Sequence, residues 1–198
     1  MAHAATHQAA RTEEGLGVYT QKLGMWIFLC SEVMFFTGLI GSYIILRWGR
    51  AEGWPVPQET LNIPVTALNT FILICSSVSM VKAYAAAVKD DQAGLKRWLL
   101  LTVLGGATFV GVQAYEYTHL IEKGFVPSTS LFGSTFYTMT GFHGFHVTCG
   151  VISMAYVTLR AFQGKYAGGK YQGIETIGLY WHFVDLVWII LFTIVYLF

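Results

Sequence analysis

The chain has 198 residues, 55% of them hydrophobic and only 12% charged, with a mean hydropathy of +0.53. A water-soluble domain of this length needs far more polar surface, so the composition excludes one and points to an all-α integral membrane protein with a single membrane domain. A formal net charge of +1 gives no electrostatic basis for binding nucleic acid.

Residues 1–22 read as a polar, Ala-rich tail ahead of a membrane domain at 23–198. No apolar core of signal-peptide type precedes the first long apolar run, so no cleavable leader is expected. His3 and His7 in this tail could meet a metal, but a solvated tail is the preferred reading. Five candidate spans follow, at about 23–46, 64–86, 98–120, 131–159 and 176–197. Each exceeds the roughly 20 residues that cross a bilayer at about 1.5 Å per residue. The fourth is long enough to tilt or protrude. Pro55, Pro57 and Pro64 punctuate the first connection, Asp90-Asp91-Gln92-Ala93-Gly94 the second, residues 124–130 the third and residues 164–173 the fourth. Cys30, Cys75 and Cys149 fall singly inside apolar runs and read as small core residues rather than disulfides or metal ligands.

Charge sets the expected orientation. With the N-terminus inside, Arg11, Lys22, Lys82, Lys89, Lys96, Arg97, Arg160, Lys165 and Lys170 lie on the inner side. Only Arg47, Arg50 and Lys123 lie outside. The positive-inside rule therefore predicts an inner N-terminus and an outer C-terminus. No internal repeat supports an inverted-repeat transporter. Small residues recur in the spans, among them Gly38, Gly41, Gly105, Gly106, Gly111, Gly141, Gly144 and Gly150. They suit close helix approach, first within the chain and then against a larger partner.

Ionisable residues in mid-span are the candidate functional groups, because they cannot face lipid cheaply. Glu32 and Asp185 each stand nine residues past the inner start of their spans, about 14 Å deep. His143 and His146 share a face of the fourth span, and His182 shares one with Asp185. Glu32, His143, His146, His182 and Asp185 are expected to form one or two polar clusters between the first, fourth and fifth spans. Haem ligation by facing histidines, a carboxylate–histidine metal site and a proton relay compete with a purely structural network. None of the residues makes a recognisable ligand motif. Glu116 and His119 form a secondary polar site near the outer end of the third span, within reach of interfacial water. Phosphate-binding glycine loops and nucleophile triads are absent, so no catalytic residue is assigned.

Several runs resemble subunit III of the haem-copper terminal oxidases, most closely the five-helix bacterial cytochrome c oxidase type. Ser31-Glu32-Val33-Met34-Phe35-Phe36 resembles the family's Ser-Glu-x-x-Phe-Phe helix. Leu68-Asn69-Thr70 with Ser76-Ser77-Val78-Ser79 resembles the next, and Gln113-Ala114-Tyr115-Glu116-Tyr117 the one after. Gly133-Ser134-Thr135-Phe136, then Thr140-Gly141-Phe142-His143-Gly144-Phe145-His146-Val147, and Tyr180-Trp181-His182-Phe183-Val184-Asp185-Leu186-Val187-Trp188 are the most specific runs. The likeness runs from about Gly24 to the C-terminus; the family's seven-helix form carries two further helices ahead of these five.

The resemblance implies a subunit that binds no haem or copper itself, both residing in partner subunits. It would pack mainly on the catalytic subunit I, beside subunit II and other respiratory-complex subunits, in a bacterial inner membrane. Support of proton uptake, protection of subunit I during turnover, bound phospholipid and an oxygen route are the implied roles, with carbodiimide reactivity at Glu32. Quinol oxidase subunit III and an accessory protein of nitric oxide reductase share the architecture, but the motif forms are nearer the cytochrome c branch. From other classes, a proton-coupled transporter and a haem-b electron-transfer protein are the rival readings.

Overall fold

A computed structural model describes residues 19–49, 54, 61–128 and 130–197. It contains helices α1 Thr20–Gly49, α2 Ile63–Val88, α3 Gln92–Glu122, α4 Leu131–Phe162 and α5 Gln172–Phe192, the last continued by a π-helical turn at Thr193–Leu197. All five are long and apolar enough to cross a membrane. They outrun the spans read from hydropathy at most ends. Hydropathy registers only the apolar stretch, whereas the hydrogen-bonded ladder continues through interfacial residues such as Gln21, Lys22 and Gln92–Arg97. Residues 20–22, assigned to the tail by composition, are therefore the first turn of α1. His3, His7 and most of the first connection lie outside the described residues.

Local chemistry accounts for the helix ends. Pro64 stands in the first turn of α2, where its missing N–H costs nothing. Asp90 takes a φ of +57° in the short α2–α3 turn. Asp91 then caps α3, accepting from the Gly94 N–H at 2.9 Å, and Ser130 caps α4 from Gly133 at the same distance. Gly164, at φ +71°, closes α4. Its N–H donates to the Ala161 carbonyl, and that of Lys165 donates to Arg160. This is the left-handed ending that glycine adopts without penalty.

Helices α2, α3, α4 and α5 close into a ring, each packed on the next and α5 returning to α2, while α1 lies outside against α5 and α4. Two tryptophans of α5 fill the centre. Trp181 Nε1 donates to Ser76 Oγ at 3.1 Å, and Trp188 Nε1 donates to Thr70 Oγ1 at 2.9 Å. Room for Trp181 comes from Gly106 of α3 and Gly150 of α4, where an added Cβ would approach its ring to 2.5 and 2.9 Å. Gly105 lies equally close to Ser76 of α2, at 2.7 Å. Gly38, Gly41 and Gly111, by contrast, have nothing within 4 Å of such a Cβ.

Helix α1 is attached at separate points. At its start Lys22 pairs with Glu175 of α5, and the Tyr19 hydroxyl lies 3.0 Å from the Gln172 carbonyl and 3.1 Å from Glu175 Oε2. At its far end the Arg47 guanidinium donates to the Tyr43 hydroxyl at 3.2 Å and to the Ile194 carbonyl at 3.5 Å. Between them Trp26, Ile27, Val33, Met34 and Ile45 point away from the bundle.

The tryptophan slot yields a stability prediction. Gly106→Leu or Gly150→Leu should cost about 1–3 kcal/mol by overpacking, read as earlier thermal unfolding in mild detergent. Gly111→Leu, facing open space, should leave the transition unchanged.

Candidate functional site

Glu32 and Phe36 stand one turn apart on α1 and share a face. From that face Glu32 Oε2 approaches His146 Nε2 of α4 to 2.9 Å, with both side chains less than one-fifth exposed. It is a close carboxyl–imidazole contact rather than a well-directed hydrogen bond. The other ring nitrogen, Nδ1, lies 2.7 Å from the Phe142 carbonyl. A carbonyl can only accept, so Nδ1 carries a proton. Nε2 is then the ring nitrogen left to face the carboxyl. Phe36 closes over the pair, its ring 5.2 Å from that of His146. From α5, the Tyr180 hydroxyl donates to the His146 carbonyl at 2.9 Å.

His143, one turn before His146, does not join this contact. It is fully buried and stacks on Trp188 at 4.8 Å between centroids, with the Phe109 ring edge-on at 6.1 Å. Neither ring nitrogen has a hydrogen-bond partner among the described residues.

His182 and Asp185 face a helix that the sequence reading left out. His182 Nδ1 lies 2.6 Å from Ser77 Oγ of α2. The buried Asp185 carboxyl lies near the same hydroxyl, and its Oδ1 has no hydrogen-bond partner among the described residues. The expected grouping across the first, fourth and fifth spans is therefore divided into Glu32–His146 between α1 and α4, Ser77–His182–Asp185 between α2 and α5, and His143 enclosed by aromatic rings. The helical period explains the division. Residues two apart point about 200° away from each other at 3.6 residues per turn, so α5 turns Tyr180 to α4 and His182 to α2.

Glu116 and His119 do not make a joint site either. Glu116 is buried, not wetted at the interface, and accepts from Thr66 Oγ1 of α2 at 2.8 Å. His119 is exposed, stacked on Tyr115 and 3.9 Å from Glu122. The sequence reading missed Thr66 and Ser77 as partners. Their signal was present: Thr66, Asn69, Thr70, Ser76 and Ser77 recur at helical spacing in an apolar span, and all are buried on one stripe of α2. Among the described residues no three His, Cys, Asp or Glu side chains converge as metal donors would.

A groove of about 850 Å³ lies at the Lys22 end of the bundle, between α1, α4, α5 and the α4–α5 loop. Met25, Ile152, Val157 and Ile177 give it apolar walls, while Lys165, Lys170 and Tyr166 supply polar groups. Burial pushes the Tyr166 hydroxyl up from its ordinary pKa, so it remains a donor.

Comparison with known proteins agrees along nearly the whole chain. The family described as cytochrome c oxidase subunit III matches residues 3–198. A protein of Synechocystis named cytochrome c oxidase subunit 3 is 44% identical over 177 residues, covering 88% of this chain and 74% of its own length. The protein of that name from Thermostichus vulcanus is 42% identical over 176 residues, covering 88% and 86%. One from Nocardia farcinica, named a probable cytochrome c oxidase subunit 3, is 40% identical over 174 residues with the same coverage.

The Glu32–His146 contact is testable by size-matched substitution. Glu32→Gln keeps the volume and a donor–acceptor head, and should unfold within a few degrees of the parent. Glu32→Ala leaves the imidazole unpaired and should cost about 1–3 kcal/mol, seen as a lower melting temperature in detergent. Equal melting of both variants and the parent would remove the contact from the stabilising interactions.

Proposed function

The chain belongs to the cytochrome c oxidase subunit III family, and from that premise we propose that it is the non-redox third subunit of a proton-pumping oxidase in a bacterial inner membrane, packed on the catalytic subunit I. Membership makes it a multi-pass membrane protein and part of an oxidase complex of the respiratory chain. In the proposed arrangement haem and copper belong to the partner subunits. This chain stabilises subunit I during turnover, assists proton uptake and holds lipid along the route of oxygen. Its N-terminus faces the side carrying nine of its twelve Lys and Arg residues.

The dispersal of the ionisable groups is the observation that carries this reading. Glu32, Glu116, His182 and Asp185 are each engaged by one neighbouring helix. His143, the most buried of the described histidines, stacks on an indole. Such an arrangement binds helices together, with His146, His182 and His143 committed to a carboxyl, a hydroxyl and an indole. Meanwhile α1 and α3 turn large apolar residues outward, among them Met34, Ile45, Leu104 and Tyr115. Surfaces of this kind suit lipid or the helices of a larger subunit.

Purifying the tagged chain from its own membranes in mild detergent tests the reading. A haem-containing oxidase should co-purify, and removing this chain should shorten the number of turnovers before activity is lost. Haem absorbance in the chain purified alone would overturn it.

The basic groove beside Lys165 and Lys170 supports the phospholipid part of the proposal, since an anionic headgroup would sit over acyl chains lying on Met25 and Ile177. Native mass spectrometry should find phospholipid retained by the parent. At least half should be lost in Lys165→Ala/Lys170→Ala, and unchanged retention would place the lipid elsewhere.

A further inference from the structure

Between α2 and α5 runs a crevice of about 210 Å³. Glu175 and Tyr84 stand at its end nearer the Lys22 side of the bundle, and His182 stands at its deeper end. His182 is ten residues into α5, about 15 Å at helical rise. Met80, Val81, Ile174, Gly178 and Leu179 form the walls between. At about 30 Å³ per molecule the space admits several waters, and it offers them a carboxylate, a phenol and an imidazole as partners.

Beyond His182 the polar contacts continue. Its Nδ1 meets Ser77 Oγ at 2.6 Å, the Asp185 carboxyl lies near that hydroxyl one turn further along α5, and Asp185 Oδ1 is buried with no hydrogen-bond partner among the described residues. A hydroxyl placed between an imidazole and a carboxyl can accept from one and donate to the other. The remaining charged or titratable groups around the imidazole are identifiable. Lys22 and Tyr19 of α1 are bound to Glu175 at the mouth. His146 of α4 and Glu32 of α1 lie on the other side of α5, where Tyr180 meets them.

We propose that this crevice is a water-filled half-channel opening at the Lys22 end of the bundle, and that it delivers protons through His182 and Ser77 to Asp185. In the transfer, crevice water gives a proton to His182 Nε2, His182 Nδ1 gives one to Ser77 Oγ, and Ser77 gives its own to the Asp185 carboxylate. One proton moves from water to carboxyl; the starting tautomer is restored when the ring turns Nδ1 to the crevice, where Nδ1 takes a proton from water and Nε2 returns one, and the Ser77 hydroxyl rotates back. No oxidant or reductant takes part. The route is built from this chain's own helices, so it stands or falls apart from the identity of any partner subunit.

Thiol accessibility tests the water, and isotope exchange tests the relay. Val81→Cys and Leu179→Cys, each in the full chain with its three native cysteines replaced by serine, are treated in sealed membrane vesicles with a charged, membrane-impermeant methanethiosulfonate. Both should react at least tenfold faster than Leu100→Cys, which is set at similar depth on the outward face of α3, and only from one side of the membrane. Gly178→Leu, whose side chain would fill the crevice against Met80, should cut those rates at least tenfold. Rates equal to that of Leu100→Cys would show a crevice filled by lipid or another helix and would overturn the proposal; that comparison does not depend on the glycine variant folding. For the relay, the infrared carbonyl band of protonated Asp185, identified by its loss in Asp185→Asn, should exchange in heavy water at least tenfold more slowly in Ser77→Ala. Ser77→Thr should restore the rate. Unchanged exchange in Ser77→Ala would overturn the relay.

Discussion

A hydrocarbon environment offers no water to a stranded donor or acceptor, so a polar side chain within a membrane domain gains most from a partner in protein. In this bundle α2 meets most of that demand. Its buried stripe gives Thr70 and Ser76 to the two central tryptophans, Ser77 to His182 and Thr66 to Glu116, while the Asn69 amide donates to the Phe109 carbonyl. The tryptophans can lie so deep because the indole N–H of each has an acceptor. Once Trp181 is fixed, α3 and α4 can close over it only through Gly106 and Gly150. The ring of four helices thus follows from a handful of hydroxyls on one helix face.

The number of crossing helices was legible in the sequence, because five apolar runs separated by proline, glycine and charge admit few other readings. Helix ends were less so: Lys22 and Gln92 are polar yet helical, and hydropathy discards them. Among the candidate residues, the contact of Glu32 with His146 joined two groups that the sequence had marked by depth alone. The neighbours of His182 and Asp185 were not legible, since depth says how far along a helix a group lies and not toward which helix it turns. Glu116 illustrates the same limit. Two helical turns from the end of α3 it was assigned to interfacial water, but the facing Thr66 and the closeness of α2 and α3 enclose it. Serines and threonines escaped notice because each can bond its own helix, as Ser42 and Thr108 do.

The polar contacts also differ in what they join. Those of α2 lie inside the ring and hold it closed. Glu32–His146 lies on its outside, where it binds a fifth helix to a structure already complete without it. The Lys22–Glu175 pair, the Glu32–His146 contact and Arg47 hold α1 at three heights, so the helix can neither slide along the bundle nor roll on it without breaking at least one of them.

This spacing bears on how the protein is made. Glu32 emerges from the ribosome more than a hundred residues before His146, and α1 must enter the bilayer before its partner has been synthesised. An ionisable residue at the middle of an inserting helix is costly, up to about 2.5–3.5 kcal/mol on insertion scales, a sum that the surrounding leucines, isoleucines and phenylalanines of α1 must exceed unaided. Insertion and assembly are thereby separate events for this helix. Its apolar surface commits it to the membrane early, and the carboxyl carried in with it becomes, on the arrival of α4, the group that tells α1 where along the finished bundle to stop.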